Sequence, residues 1–270
     1  MSTAASPHAV AIRPIRRAAF WAALLVWITA AWFQNTRPGW NVNSQLALAL
    51  AIGERGTFRI DDYVRLPGLE TGDLAAYDGH YYTDKSPVTP MLAAPFVWLH
   101  RQVTDALGMA PSLARVRWLA TVAVVGLAAA VLAALLVLEL ARRGASAAWA
   151  ARAAVLWVAA TPLMGYSILF FNYLPACALL MAAFVMARPL WRDGTVHGLR
   201  IFLAGVCGGL AAWTLNTVAL PVALLTVPIV ASAGLPGERA RRIALWGFGG
   251  IVGASGYFIH NYAIFGSFAP

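Results

Sequence analysis

Long apolar runs dominate the chain, and one polar stretch interrupts them. Runs at 18–34, 113–140, 147–164, 167–187, 199–214, 217–233 and 243–260 read as membrane spans, since crossing a bilayer core takes about 20 mostly apolar residues. Between the first two, over 35–112, the pattern changes. Asn43-Ser44 offers an N-cap for a helix over Gln45 to Arg55, and Gly56 is placed to stop it. Leu46, Leu48, Leu50 and Ile52 share no single stripe, which suits a helix buried on several sides or lying in the membrane interface. Thr57 to Tyr63 alternates like an extended strand and ends in the adjacent carboxylates Asp61 and Asp62. A turn-rich connector, Arg65 to Gly72, follows. Asp78-Gly79 then signals a hairpin with a two-residue type I′ turn, predicted to gather Tyr77, His80, Tyr81 and Tyr82 into an aromatic cluster. Val88 to His100 is apolar but too short to cross. With Pro90 and Pro95 inside, it is predicted to lie along or dip into the membrane surface.

The fold class expected is an all-α polytopic membrane protein: about seven transmembrane helices and one large outer loop with interfacial helices and a small hairpin. Composition agrees. The chain is 60% hydrophobic and 11% charged, far from the soluble norm of about 45–50% and about 25%. Its net charge of +9 therefore calls for a membrane explanation, and no nucleic-acid partner is expected.

Charge sets the orientation. With a cytoplasmic N-terminus, the inner segments carry Arg13, Arg16, Arg17, Arg142, Arg143, Arg188, Arg192, Arg200, Arg239, Arg241 and Arg242. Against these stand Glu139, Asp193 and Glu238, for a sum of +8. The loop sums to −2, and Arg115, Arg117 and Arg152 beside or within spans supply the rest. The positive-inside rule then places the loop outside, in the periplasm if the membrane is a bacterial inner membrane, the location expected, and in the lumen or exterior elsewhere. The organisation is a cytoplasmic tail (1–17), a first span (18–34), the outer loop (35–112), six further spans (113–260) and the start of a second outer loop (261–270). Arg16-Arg17, the apolar run and Ala30-Ala31 loosely fit a signal peptide, but the leader length and following aromatics favour a retained anchor. The abrupt end at 270 is expected to mark the N-terminal part of a longer protein.

Chemistry concentrates in the loop. It holds eight of the eleven acids, and Lys85, the one lysine in the chain. Lysine is a compact point charge suited to phosphate. Lys85 sits before a proline and an interfacial helix, where it could grip a phosphate at headgroup depth, snorkel as an anchor, or pair with Asp84. Arg115 and Arg117 open the second span, and two residues apart on a helix only one can face a site. Cys177 and Cys207 lie in apolar runs and read as packing residues. A metal site from His80, Asp78 and Asp84 matches no ligand spacing, and no cofactor is expected. There is no Gly-rich phosphate loop, no Ser-His-Asp set and no CxxC.

The order of parts resembles the GT-C membrane glycosyltransferases, most of all the bacterial family 39 and protein O-mannosyltransferase-like group. A first span is followed by a helix ending in "GERGTF", then "YDGHYYTDKSP", a short apolar helix, and a span opening "SLARVRWLA". Asn261 to Ser267 is similar to a later outer-loop motif of a subgroup. The resemblance implies a polyprenyl-phosphate-linked sugar donor, a lipid, glycan or protein acceptor, and transfer at the outer face among membrane lipids. One departure matters: the family's usual acidic pair falls at Asn41-Val42-Asn43-Ser44, which holds no carboxylate. Asn172 likewise stands where His or Asp is usual. The base is then sought at Asp62 or Asp73, with Asp61 third, each of which also reads as a solvated loop carboxylate. Lys85, Asp84, Arg117, Arg115, His80, Tyr82 and Tyr81 are the substrate-binding candidates. Trp213, Asn216 and Asn261 are weaker candidates for an acceptor side. Two rival readings stay open: a flippase of lipid-linked sugars, and a catalytically inactive GT-C-like subunit.

Overall fold

The computed structural model describes residues 7–33, 35, 38–191, 197–232 and 235–268. Arg37, Arg192 and Asp193, counted in the charge balance, lie outside these residues, as does the end at 269–270. In chain order the elements are α1 (Pro7–Trp32), α2 (Trp40–Arg55), β1 (Ala75–Tyr77), β2 (His80–Tyr82), α3 (Val88–Ala106), α4 (Leu113–Arg142), α5 (Ala147–Ala159), α6 (Pro162–Ser167), α7 (Tyr173–Ala187), α8 (Gly198–Thr214), α9 (Ala219–Val230) and α10 (Pro236–Phe265). Four helical stretches are long and apolar enough to cross a membrane: Ile12–Trp32, Leu113–Arg142, Tyr173–Leu190 and Pro236–Phe265. Three shorter apolar helices, Ala147–Ala159, Gly198–Thr214 and Asn216–Val230, occupy the other apolar runs.

Several boundaries differ from expectation for identifiable reasons. The run over 147–164 breaks before Pro162, where the Thr161 hydroxyl accepts the Leu163 N–H and starts α6. The last run extends to Phe265 before Gly266 caps it at φ +64°, so Asn261 to Phe265 are helical and do not open a loop. Helix α2 starts at Trp40, five residues before Gln45. Asn43 and Ser44 are not caps: Asn43 donates to the Glu70 carbonyl (2.9 Å) and Ser44 to the Thr83 hydroxyl (2.7 Å), holding the loop instead. The Gly56 stop is as expected, at φ +64°.

Thr57 to Tyr63 is not a strand. Residues 61–65 turn, and the Ile60 N–H reaches the Tyr81 carbonyl at 2.9 Å. The hairpin forms with Ala75 opposite Tyr82 and Tyr77 opposite His80. Asp78 (φ 48°) and Gly79 (φ 75°) both adopt the positive φ of a type I′ turn. Helix α3 runs on to Ala106 and packs tightly along α2, where a Cβ on Gly53 would lie 2.8 Å from the Ala94 carbonyl oxygen. Its other face exposes Met91, Leu92, Trp98 and Leu99.

Two packing devices hold the helices. In α4, the Val122 carbonyl accepts the Leu127 N–H across a π turn, and the Trp27 indole of α1 donates to the same oxygen at 3.0 Å. Helices α8 and α10 meet backbone to backbone. A Cβ on Gly205 or Gly209 would overlap the carbonyls of Trp246 or Gly250, and one on Gly249 or Gly253 those of Phe202 or Val206. Paired small residues four apart on each helix permit this approach.

The bundle has chemically distinct ends. Asn172 of the α6–α7 link touches Ser86, Tyr77 lies edge-on to Phe265, and Phe58 edge-on to His260, so the loop covers one end. At the far end Glu139, 3% exposed, accepts from Arg188 (2.6 Å) and Arg143 (3.0 Å).

Candidate functional site

The site grows from the hairpin's exit. Strand β2 delivers Thr83-Asp84-Lys85-Ser86-Pro87 to the start of α3, and α2 anchors that segment through the Ser44–Thr83 hydroxyl bond. The Thr83 hydroxyl also accepts the Lys85 N–H at 3.3 Å. Gly72 packs against the Trp40 ring, and the next residue, Asp73, is carried to the same place. Lys85 Nζ lies 2.7 Å from Asp84 Oδ2 and 3.6 Å from Asp73 Oδ2. Burial alone lowers the ammonium's pKa, but Asp84 and then Asp73 outweigh it, and the net shift is upward from 10.5. Lys85 thus stays cationic, and its side chain is 26% exposed, open to a ligand.

The other candidates separate. Asp62 turns away and pairs with Arg55 at the end of α2, both more than half exposed. Asp61 faces the hairpin: Oδ1 accepts the Tyr81 N–H at 2.8 Å, and Oδ2 lies 3.2 Å from His80 Nδ1. Adjacent residues on a turning segment have gone opposite ways, and neither pairs with Lys85. The aromatic cluster does not assemble. Tyr82 is buried, Tyr81 packs into the core, and Tyr77 lies edge-on to Phe265 (4.9 Å). Tyr82 is therefore a packing residue, not a stacking platform. Arg115 bonds the Ala110 carbonyl, and Arg117 donates to the Gly68 carbonyl at 2.6 Å, bracing the connector. Tyr63 donates to Glu54 at 2.9 Å, and burial with that carboxylate pushes its phenol well above its usual range.

Sequence reasoning missed a seam of buried amides beside Lys85. Asn43, Gln45 and Asn172 each spend their NH₂ on a protein oxygen: the Glu70 carbonyl, the Asn41 side chain and the Ser86 carbonyl. Their own carbonyl oxygens, and the Ser86 and Thr89 hydroxyls, are buried without a protein partner. Such atoms cost about 1–3 kcal/mol each when unpaired. The signal available in the sequence was the polar run Asn41 to Gln45 at the head of an apolar helix.

Two apolar crevices flank the first turns of α3. One, about 390 Å³, is lined by Leu92, Phe96, Leu127, Val131, Pro175 and Leu210. The other, about 370 Å³, lies under Phe58 among Met91, Leu210, Trp213, Gly256 and His260. Pro175 is one helical turn from Asn172, which bonds the carbonyl of Ser86, the residue after Lys85. Asn261 is buried and donates to the Phe268 carbonyl at 3.4 Å. Among the described residues no group of three or more His, Cys, Asp or Glu is placed to hold a metal ion. No protein-family model, curated protein or solved structure matches the chain.

Proposed function

We propose that this chain is an integral-membrane glycosyltransferase of the GT-C kind, moving a sugar from a polyprenyl-phosphate donor to an acceptor at the outer membrane face. The reading takes the four long and three shorter apolar helices as seven spans, with the loop outside and the arginine-rich end cytoplasmic. One observation carries it: a persistent cation, Lys85, held by Asp73 and Asp84 at the head of α3, the helix whose Leu92 and Phe96 line a crevice with a wholly apolar wall. A lipid phosphate asks for a cation near an apolar channel, and at Lys85 it would replace one of the two carboxylates as the ammonium's partner.

The test is substitution of Lys85→Met and Asp73→Asn in the full-length gene, with surface glycans as readout and protein level as control. The reading expects loss of glycan in Lys85→Met. Normal glycan in both variants at normal level contradicts it. Loss of transbilayer movement of labelled polyprenyl donor in vesicles, with transfer intact, would establish the flippase instead.

A further inference from the structure

Resting on that transferase reading, we propose that His80, held by Asp61, is the general base that activates the acceptor hydroxyl. Apart from Asp78, exposed in the turn itself, the loop carboxylates near the hairpin are already engaged. Asp73 and Asp84 neutralise Lys85, and Asp62 pairs with Arg55. Asp61 has both oxygens committed, one to the Tyr81 N–H and one to the His80 ring. A carboxylate tied to a cation is a poor proton acceptor, because removing its charge also breaks the ion pair. The imidazole is different. Its Nδ1, 3.2 Å from Asp61 Oδ2, donates to that carboxylate, which fixes the tautomer and leaves the Nε2 lone pair outward. Among the described residues Nε2 has no protein partner, and the side chain is 36% exposed.

The pair is rigidly mounted. Ile60 bonds the Tyr81 carbonyl while the next residue, Asp61, accepts the Tyr81 N–H, so the 60–61 segment is clamped to β2 on both sides of Tyr81. His80 precedes Lys85 by five residues, which limits their Cα separation to about 17 Å. Side chains reaching inward from both ends can span one sugar ring and its phosphate. Alternation puts His80 on the strand face of the buried Tyr82 and opposite Tyr81, yet at the turn end of β2 its side chain stays 36% exposed.

The step balances without a further reactant. An acceptor O–H gives its proton to His80 Nε2, and the oxygen lone pair forms the new bond to the sugar's anomeric carbon. The bond from that carbon to the phosphate oxygen breaks, and its electron pair leaves on polyprenyl phosphate, whose charge faces Lys85. Asp61 stabilises the imidazolium formed and is a positioning residue.

Full-length protein in native membranes separates this from a merely structural latch. Two readouts are needed: binding of ³²P-labelled C55 polyprenyl phosphate, and the rate at which metabolically labelled sugar passes from the extractable lipid donor to acceptor. His80→Asn keeps an N–H donor near the position of Nδ1 but removes the base. It is expected to bind polyprenyl phosphate normally while turnover falls by about 10²–10⁴-fold. Asp61→Asn is expected to lower turnover by about 10–100-fold with binding unchanged. His80→Gln, which offers no base either, should match His80→Asn. Retained turnover in His80→Asn overturns the proposal. So does parallel loss of binding and turnover in His80→Asn and His80→Gln, which would make the pair a latch. Lys85→Met tests the underlying reading separately: binding that survives it removes the phosphate site, whatever His80 does.

Discussion

Replacing Glu139 by alanine should be among the most damaging single changes at the far end of the bundle. Its carboxylate is 4% exposed and lies between Arg188, 11% exposed at 2.6 Å, and Arg143, 61% exposed at 3.0 Å. The two arginines are not equivalent. The Arg143 contact is screened by solvent and is worth about 0–1 kcal/mol. Arg188 is nearly enclosed, so removing its partner strands a buried guanidinium, a loss of about 3–5 kcal/mol. The double variant Glu139→Leu with Arg188→Met removes both buried charges and puts apolar volume in their place. It should recover most of that loss, because the desolvation cost of the pair disappears with it. Reversible unfolding of the protein in mixed micelles, followed against denaturing detergent, compares wild type with both variants. If Glu139→Ala costs under about 1 kcal/mol, or the double variant is no better than the single, the burial argument for this pair is wrong.

Other consequences are simpler. Gly253→Val should separate α8 from α10 and lower the thermal midpoint, since its Cβ runs into the Val206 carbonyl. Gly247→Ala on the same helix, with open space around it, should stabilise by about 0.5–1 kcal/mol. Asp62→Asn should leave transfer intact and change stability by at most about 1 kcal/mol, because its pair with Arg55 is exposed. The Lys85 pKa is raised on folding, so its contribution is complete below 10.5 and fades only as pH climbs through the folded value. The stability gap between wild type and Lys85→Met should therefore stay flat from neutrality to about pH 10 in unfolding experiments.

What the sequence disclosed was local. Gly56 and Asp78-Gly79 were legible because a positive φ is a demand each turn makes on its own residues. The apolar runs located the helices for the same reason, although their ends moved where Pro162 or Gly266 intervened. Long-range bonds were not legible. Asn43 and Ser44 resemble a cap in isolation, and only their partners Glu70 and Thr83 show otherwise. The alternation over Thr57 to Tyr63 suggested a strand, yet period-two polarity does not supply a neighbouring edge along its length. Asp61 and Asp62 could not be assigned from spacing. Arg55 at the end of α2 claims one and the hairpin claims the other. Asp73 beside Lys85 was within reach of sequence reasoning, since Gly72 frees the connector and both residues bracket one hairpin. Of the amide seam only the polar run Asn41 to Gln45 was legible; its partners were not, because Asn43 reaches Glu70 and Asn172 reaches Ser86 across long stretches of chain.

The central claim is that a lipid phosphate rests on Lys85 with its chain along α3. A C55 polyprenyl phosphate carrying a diazirine near the headgroup, photolysed with full-length protein in nanodiscs and mapped by mass spectrometry, tests this most directly. The account predicts adducts within 85–96 and near Pro175, lost when Lys85 is changed to Met. Adducts confined to the arginine-rich end, or unchanged by that substitution, would contradict it.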